Sequence, residues 1–157
     1  MFPTSETQPG EISQTEPKTL NNSAIAYGLG SFGLESAYKV FIGFYIFFYV
    51  DVLGLAVALT AVINIVFAIW DAVNDPLVGY LSDNTRSRWG RRRPWLLTAL
   101  PFYVVLLVLT YTVPAVFRRG ESLFWYALVV FLLFETAYTV LSVNYDALFP
   151  ELFQGFS

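Results

Sequence analysis

Asp71 and Asp75 stand one helical turn apart inside an otherwise apolar stretch, within the segment Trp70 to Pro94, WDAVNDPLVGYLSDNTRSRWGRRRP. Residues at i and i+4 of a helix project from one face at neighbouring heights, so both carboxylates meet the same neighbour. Like charges that close repel, and a bound cation or a proton relieves the repulsion. Hard monovalent cations prefer oxygen ligands by the logic that governs Ca²⁺ and Mg²⁺. The chemistry this spacing predicts is ion binding, with Asp71 and Asp75 as ligands of a monovalent cation only. Pro76 has no N–H to give to the carbonyl of Ala72, and Gly79 lets another element approach the backbone, so oxygen atoms are left free beside the two acids. Asp83 then ends the apolar run, and Arg86, Arg88, Arg91, Arg92 and Arg93 crowd the connection before Pro94.

Catalysis loses most of its usual parts in this composition. The 157 residues include no cysteine and no histidine, which removes the thiol nucleophile, the thiolate metal site and the ordinary general base. No enzyme activity is expected. Hydrophobic residues reach 56%, aromatic ones 18% and charged ones only 13%, which is a membrane composition. The net charge of −3 is too small to argue for a partner. Arginines in one loop beside a bilayer are explained by orientation, so no nucleic-acid partner is expected.

Four apolar helices must position the acids, at about residues 23–50, 55–81, 94–116 and 121–149. Residues 1–22 are rich in Pro, Ser, Thr, Gln, Asn and Glu and are expected to form a disordered cytoplasmic tail. Val52 to Trp70 alone gives nineteen residues without a charge, close to the ~20 needed to span a bilayer. The first helix carries small residues at Gly28, Gly30, Ser31 and Gly33, which suit close helix packing. The aromatic run Phe44, Tyr45, Phe47, Phe48 and Tyr49 is expected to face lipid or to pack. Five arginines in the second connection outweigh Arg118 and Arg119 in the third, so the N-terminus and the second connection are placed in the cytoplasm of a multi-pass cell-membrane protein. At ~1.5 Å per residue, Glu35, Asp71 and Glu135 fall near mid-bilayer and Asp75 ~6 Å nearer the cytoplasm. Each ionised group at the centre costs ~2.5 to 3.5 kcal/mol on insertion scales, so several at one depth imply a lined cavity, partners or bound ions. Glu135 has two open readings, an ion ligand or a protonated carboxyl bonded to a neighbour. Lys39 is the only base at that depth and pairs either with Glu35 or with Asp71. The last residue, Ser157, comes just after the fourth helix, and the polar residues point at partners beyond the four, so a longer protein is expected.

GYLSD, Gly79 to Asp83, followed by Gly90, Arg91 and Arg92, resembles the loop signature between the second and third helices of the major facilitator superfamily. Trp70, Asp71, Ala72, Asn74, Asp75 and Pro76, then Thr85, Arg86, Ser87, Arg88, Trp89 and Gly90, are similar to the glycoside-pentoside-hexuronide cation symporters, the melibiose permease-like family. The likeness extends to Tyr27, Gly28, Phe32 and Gly33, to the Asp51–Gly54 turn, and to Tyr138, Thr139, Leu148 and Pro150. It implies an all-α membrane fold of twelve helices in two halves, of which these four form the first part. It also implies a cation held by Asp71, Asn74, Asp75 and Thr139. For the solute, the family's carboxylate of the first helix falls on Glu35, while its helix IV aspartate and tryptophan fall on Ser142 and Asp146. Melibiose itself is therefore expected to be a poor substrate.

The resemblance implies cation-coupled symport of a sugar or glycoside by alternating access, with Na⁺ or H⁺ as the coupling cation and no other cofactor. The solute is expected to engage Glu35, with Asp146, Asn144 and Ser142 on the fourth helix. Gly79, Asp83, Arg86, Arg88, Gly90, Arg91 and Arg92 are expected to form the cytoplasmic contacts that hold one state closed. The first, second and fourth helices should bring Glu35, Asp71 and Thr139 to a common polar cavity, and the uncharged third should lie at the periphery. The partners are then a small-molecule solute, the lipid bilayer and the remaining helices. Two alternatives stay open: a symporter for a non-sugar solute such as a lipid or nucleoside, and a complete tetraspan channel or scaffold.

Overall fold

The computed structural model describes residues 16–88, 92–118 and 120–147. Their order is α1 (Glu16–Ile46), a π-helical turn (Phe47–Val52), α2 (Val57–Asn84), α3 (Arg93–Tyr111), a short 3₁₀ turn (Ala115–Phe117) and α4 (Gly120–Asp146), with no strand among the described residues. The chain is an all-α membrane protein. α2, α3 and α4 are each long and apolar enough to cross a membrane. α1 is the longest helix, and its Glu35, Lys39, glycines and serines lower its mean hydropathy.

Cross-helix contacts give the directions. Trp70 meets Thr136 and Asp75 meets Thr139, so residue numbers rise together and α2 and α4 run parallel. Tyr138 meets Glu35 while Tyr145 meets Tyr27, so α1 and α4 are antiparallel. Tyr103 reaches Leu34 and Tyr111 reaches Phe41, so α1 and α3 are parallel. An up-down order with short connections requires this pattern. α4 is the central helix, packed against both α2 and α3.

The core is largely aromatic. Phe41, Tyr45 and Tyr49 recur every fourth residue along one face and are buried, whereas Phe44 and Phe47 on the opposite face are exposed. Phe41, Tyr45 and Tyr49 each meet the ring of Phe131 nearly edge-on, with centroids 5.0 to 5.3 Å apart. Such pairs contribute ~0.5 to 1.5 kcal/mol each beyond their buried area. The run divides by helical period into packing residues and outward-facing ones.

Helix ends depart from the expected positions for local reasons. α1 begins at Glu16 instead of about 23, an early start that Glu16 and Pro17 favour as first-turn residues. Residues 1–15 lie outside the described residues. α2 runs to Asn84 instead of 81, and Thr85 Oγ1 donates to the carbonyl of Leu81, a group that the helix end leaves orphaned. α3 stops at Tyr111 instead of 116, because Pro114 lacks an N–H and disfavours helical backbone at Val113. The first connection turns on Gly54 at φ +74°, a conformation that costs glycine least.

Candidate cation and solute site

The seam between α2 and α4 carries the first set of polar side chains. Thr139 Oγ1 donates to Asp75 Oδ1 at 3.1 Å, and one turn earlier Trp70 Nε1 donates to Thr136 Oγ1 at 3.0 Å. Interhelical hydrogen bonds of this kind contribute ~0.6 to 2 kcal/mol each within membranes. Asn74 is buried between these two contacts, and its Nδ2 has no hydrogen-bond partner. Asp71 is half-buried and turns toward Glu135 and Tyr38. The four residues expected to hold a cation thus lie on one seam, with Asp75 and Thr139 in direct contact. Asp71 and Asp75 differ in their neighbours, although helical spacing alone puts them on one face. No group of three acids among the described residues converges closely enough to hold a metal ion.

Glu35 stands on a different face, between α1 and α4. Tyr138 Oη donates to its Oε1 at 2.7 Å, and Lys39 Nζ lies 3.8 Å from its Oε2 within the same helix. The Tyr138 ring stacks on Tyr38 with centroids 3.9 Å apart, which fixes the hydroxyl's aim. Asp146 is exposed at the end of α4, near enough to Glu35 for their charges to interact. Ser142 donates to Thr139 O, and fully buried Asn144 donates from Nδ2 to Val140 O. Of the four solute candidates, Glu35 and Asp146 share an open face, while Ser142 and Asn144 are tied to their own helix. Tyr145 Oη donates to Tyr27 O by crossing α1 at Gly30, where a built Cβ would collide with the Tyr145 hydroxyl.

α3 is less peripheral than its lack of charge suggests. Buried Tyr103 donates to Leu34 O and stacks on Phe134, next to both Glu35 and Glu135. α1, α3 and α4 also enclose an apolar cleft of about 450 Å³ whose walls include Leu29, Leu34, Leu100, Tyr103 and Leu141. Tyr103 and Trp70 were not assigned roles from sequence, because neither carries a charge. A hydroxyl or indole N–H in an apolar helix, which needs a partner when buried, was the available signal.

In the α2–α3 loop, Arg92 Nη2 donates to Asp83 Oδ1 at 3.2 Å, and Trp95 Nε1 donates to Thr85 Oγ1 at 3.0 Å. Arg86 and Arg88 are exposed, while Gly90 and Arg91 lie outside the described residues. Gly79 differs from expectation. A Cβ built there meets no atom within 4 Å, so no described element packs on that backbone, and the close approach along α1 occurs at Gly30 instead.

The chain is similar to known membrane transporters. Residues 26–154 match the family described as MFS/sugar transport protein. An uncharacterized symporter of Synechocystis sp. is 35% identical over 137 residues, 85% of this chain and 25% of its own length. The isoprimeverose transporter of Lactiplantibacillus pentosus is 32% identical over 128 residues, 81% of this chain and 26% of its own. The sodium-dependent lysophosphatidylcholine symporter 1 of Xenopus tropicalis is 42% identical over 81 residues, 51% of this chain and 15% of its own. The chain spans about a quarter of the length of the first two of these relatives.

Proposed function

Because the chain belongs to the MFS/sugar transport protein family of the major facilitator superfamily, we propose that it forms the first four helices of a cation-coupled symporter for a sugar or glycoside. The observation that carries this reading is the Thr139–Asp75 contact, 3.1 Å across the α2–α4 seam with Asn74 buried alongside. Carboxylate, amide and hydroxyl oxygens then serve one cation, Na⁺ or H⁺, at Asp71, Asn74, Asp75 and Thr139. Neutralising the seam lets α2 and α4 pack in a different loaded state, while Glu35 and Asp146 hold solute hydroxyls on the α1–α4 face. Tyr138 couples the two sites, since it bonds Glu35 and neighbours Thr139 in sequence. Coupling of this kind is reciprocal, so each ligand tightens the other by the same factor. The Asp83–Arg92 pair and the other loop arginines serve the state closed toward the cytoplasm. Alternating access then moves both ligands about a midplane site.

A second reading has its own support in the apolar cleft and the lysophosphatidylcholine symporter relative. It makes the solute a single-chain lipid instead of a sugar. Uptake by the full-length protein in vesicles separates the two. A panel of labelled sugars and glycosides and a labelled lysophosphatidylcholine would be offered under imposed Na⁺ or H⁺ gradients. The expected result is glycoside accumulation that follows one cation gradient, with melibiose a poor substrate. Accumulation of the lipid instead selects the second reading, and uptake of every solute independent of both gradients defeats symport altogether.

A further inference from the structure

Lys39 has no part in the cation or solute sets above, yet it is the only basic residue between Lys18 and Arg86. It stands inside α1, ~20 Å before the end of the π-helical turn at Val52. A lysine there cannot reach the membrane surface as one near a helix end does, so its charge needs a polar partner within the span. Lys39 Nζ lies 3.8 Å from Glu35 Oε2. That is wider than the ~2.7 to 3.2 Å of an N–H···O bond, so the two charges attract across a gap that no hydrogen bond closes. The other oxygen of Glu35 is held by Tyr138 at 2.7 Å, and the Tyr138 ring is stacked on Tyr38. The carboxylate is therefore fixed while the ammonium beside it is not. The Lys39 side chain is 78% exposed, and none of its three N–H donors meets an acceptor at hydrogen-bond distance among the described residues.

A hydroxyl both donates and accepts, so two neighbouring hydroxyls on one sugar ring can close that gap, one donating to Glu35 Oε2 and the other accepting from Lys39 Nζ. A solute carboxylate brought to Lys39 would stand beside the Glu35 carboxylate too, and like-charge repulsion would cancel much of what the ammonium gives. An apolar group would leave both charges without a polar partner. We infer that Glu35 and Lys39 form a clasp for a vicinal pair of uncharged hydroxyls, in which Lys39 is a solute-binding donor that selects neutral glycosides over acidic ones. The i, i+4 spacing serves this directly, since it sets an acceptor and a donor one turn apart on one face of α1. The inference deepens the symporter reading and rests on it for the solute's place on the α1–α4 face.

Calorimetric titration of the purified full-length protein in NaCl with methyl glucoside and methyl galactoside tests it, with their methyl uronides and singly deoxygenated analogues for comparison. At least one neutral glycoside should bind, and its uronide should bind at least ~10-fold more weakly. Lys39→Met keeps the length of the side chain but removes its donors. It should weaken the neutral glycoside by a similar factor without improving the uronide, and Lys39→Arg, which restores a donor, should recover the binding. One deoxy sugar should bind the wild type as weakly as its parent binds Lys39→Met, and should lose nothing further in that variant, because the same contact is removed from either side. The uronides and deoxy sugars are measured on the wild type, so they decide the matter even if Lys39→Met does not fold. A uronide that binds as tightly as its neutral parent, or a Lys39→Met variant that binds the neutral sugar like the wild type, overturns the clasp and leaves the symporter reading standing. If no glycoside of either kind binds, the clasp falls together with the sugar reading.

Discussion

Two glutamates at similar depth show how differently α4 treats its two sides. Glu35, toward α1, has a side chain 48% exposed, a hydroxyl donor from Tyr138 and Lys39 one turn away. Glu135, toward α2, is 1% exposed, with one oxygen unpartnered and only acids and phenols around it. The α1–α4 face therefore leaves the Glu35 carboxyl open, with a hydroxyl donor and a base at hand. Enclosure along the α2–α4 seam is local: Glu135 is shut away with no base among the groups that face it, while Asp75 stays exposed. Under the symporter reading, the two faces of α4 would serve two different ligands.

The largest expected effect breaks the seam. Asp75→Asn in the full-length protein removes one full charge of the proposed cation set while leaving an oxygen for Thr139, and close charge pairs couple by ~1.5 to 7 kcal/mol. Cation affinity should fall at least ~10-fold, and uptake driven by the cation gradient should stop. Wild-type gradient dependence in this variant would make the seam structural and would erase the contrast with the α1–α4 face.

A smaller effect is expected on the open face. Glu35→Gln keeps the Tyr138 bond but loses charge-assisted bonds to solute hydroxyls, worth ~1.5 to 3 kcal/mol. Solute affinity should drop ~10- to 150-fold while calorimetric cation binding persists. If cation binding collapsed together with solute binding, the two faces would constitute one site.

The smallest effect sharpens the packing of the open face without touching either ligand. Gly30→Ala places a methyl group where the Tyr145 hydroxyl crosses α1, so Tyr145 must give up its bond to Tyr27 O. A loss of ~1 kcal/mol is expected, in line with the modest worth of interhelical bonds in membranes, read as a lower unfolding temperature in detergent. Tyr145→Phe already lacks that bond, so adding Gly30→Ala to it should cost less than in the wild type. Full additivity in this cycle would show that Gly30 and Tyr145 act independently.

Much of the fold was legible before any coordinates. Uncharged runs of near-spanning length announced the apolar helices, whereas the i, i+4 spacing of Asp71 and Asp75 did not foretell their different neighbours, Glu135 for one and Thr139 for the other. Helix ends were less legible where side chains decided them. Nothing in hydropathy announces that α2 continues to Asn84 or that Thr85 will bond the free carbonyl of Leu81 there. Pro114 was the exception, a readable stop that the apolar run around it concealed. In the site, charge drew notice to the acids and away from Tyr103, Tyr138 and Trp70, whose single polar atoms hold the helices in register.

The sequence by itself determined the solvent and the presence of long apolar helices, because these follow from composition and from uncharged runs of near-spanning length. Only the tertiary structure decided that Glu135 is dry and Glu35 open, that Asp75 meets Thr139 while Asp71 turns to Glu135, and that α3 lends Tyr103 to the interior. A helix made for lipid is apolar on every side, so its sequence marks no face for the core, and burial becomes a property of the neighbour that packs against it.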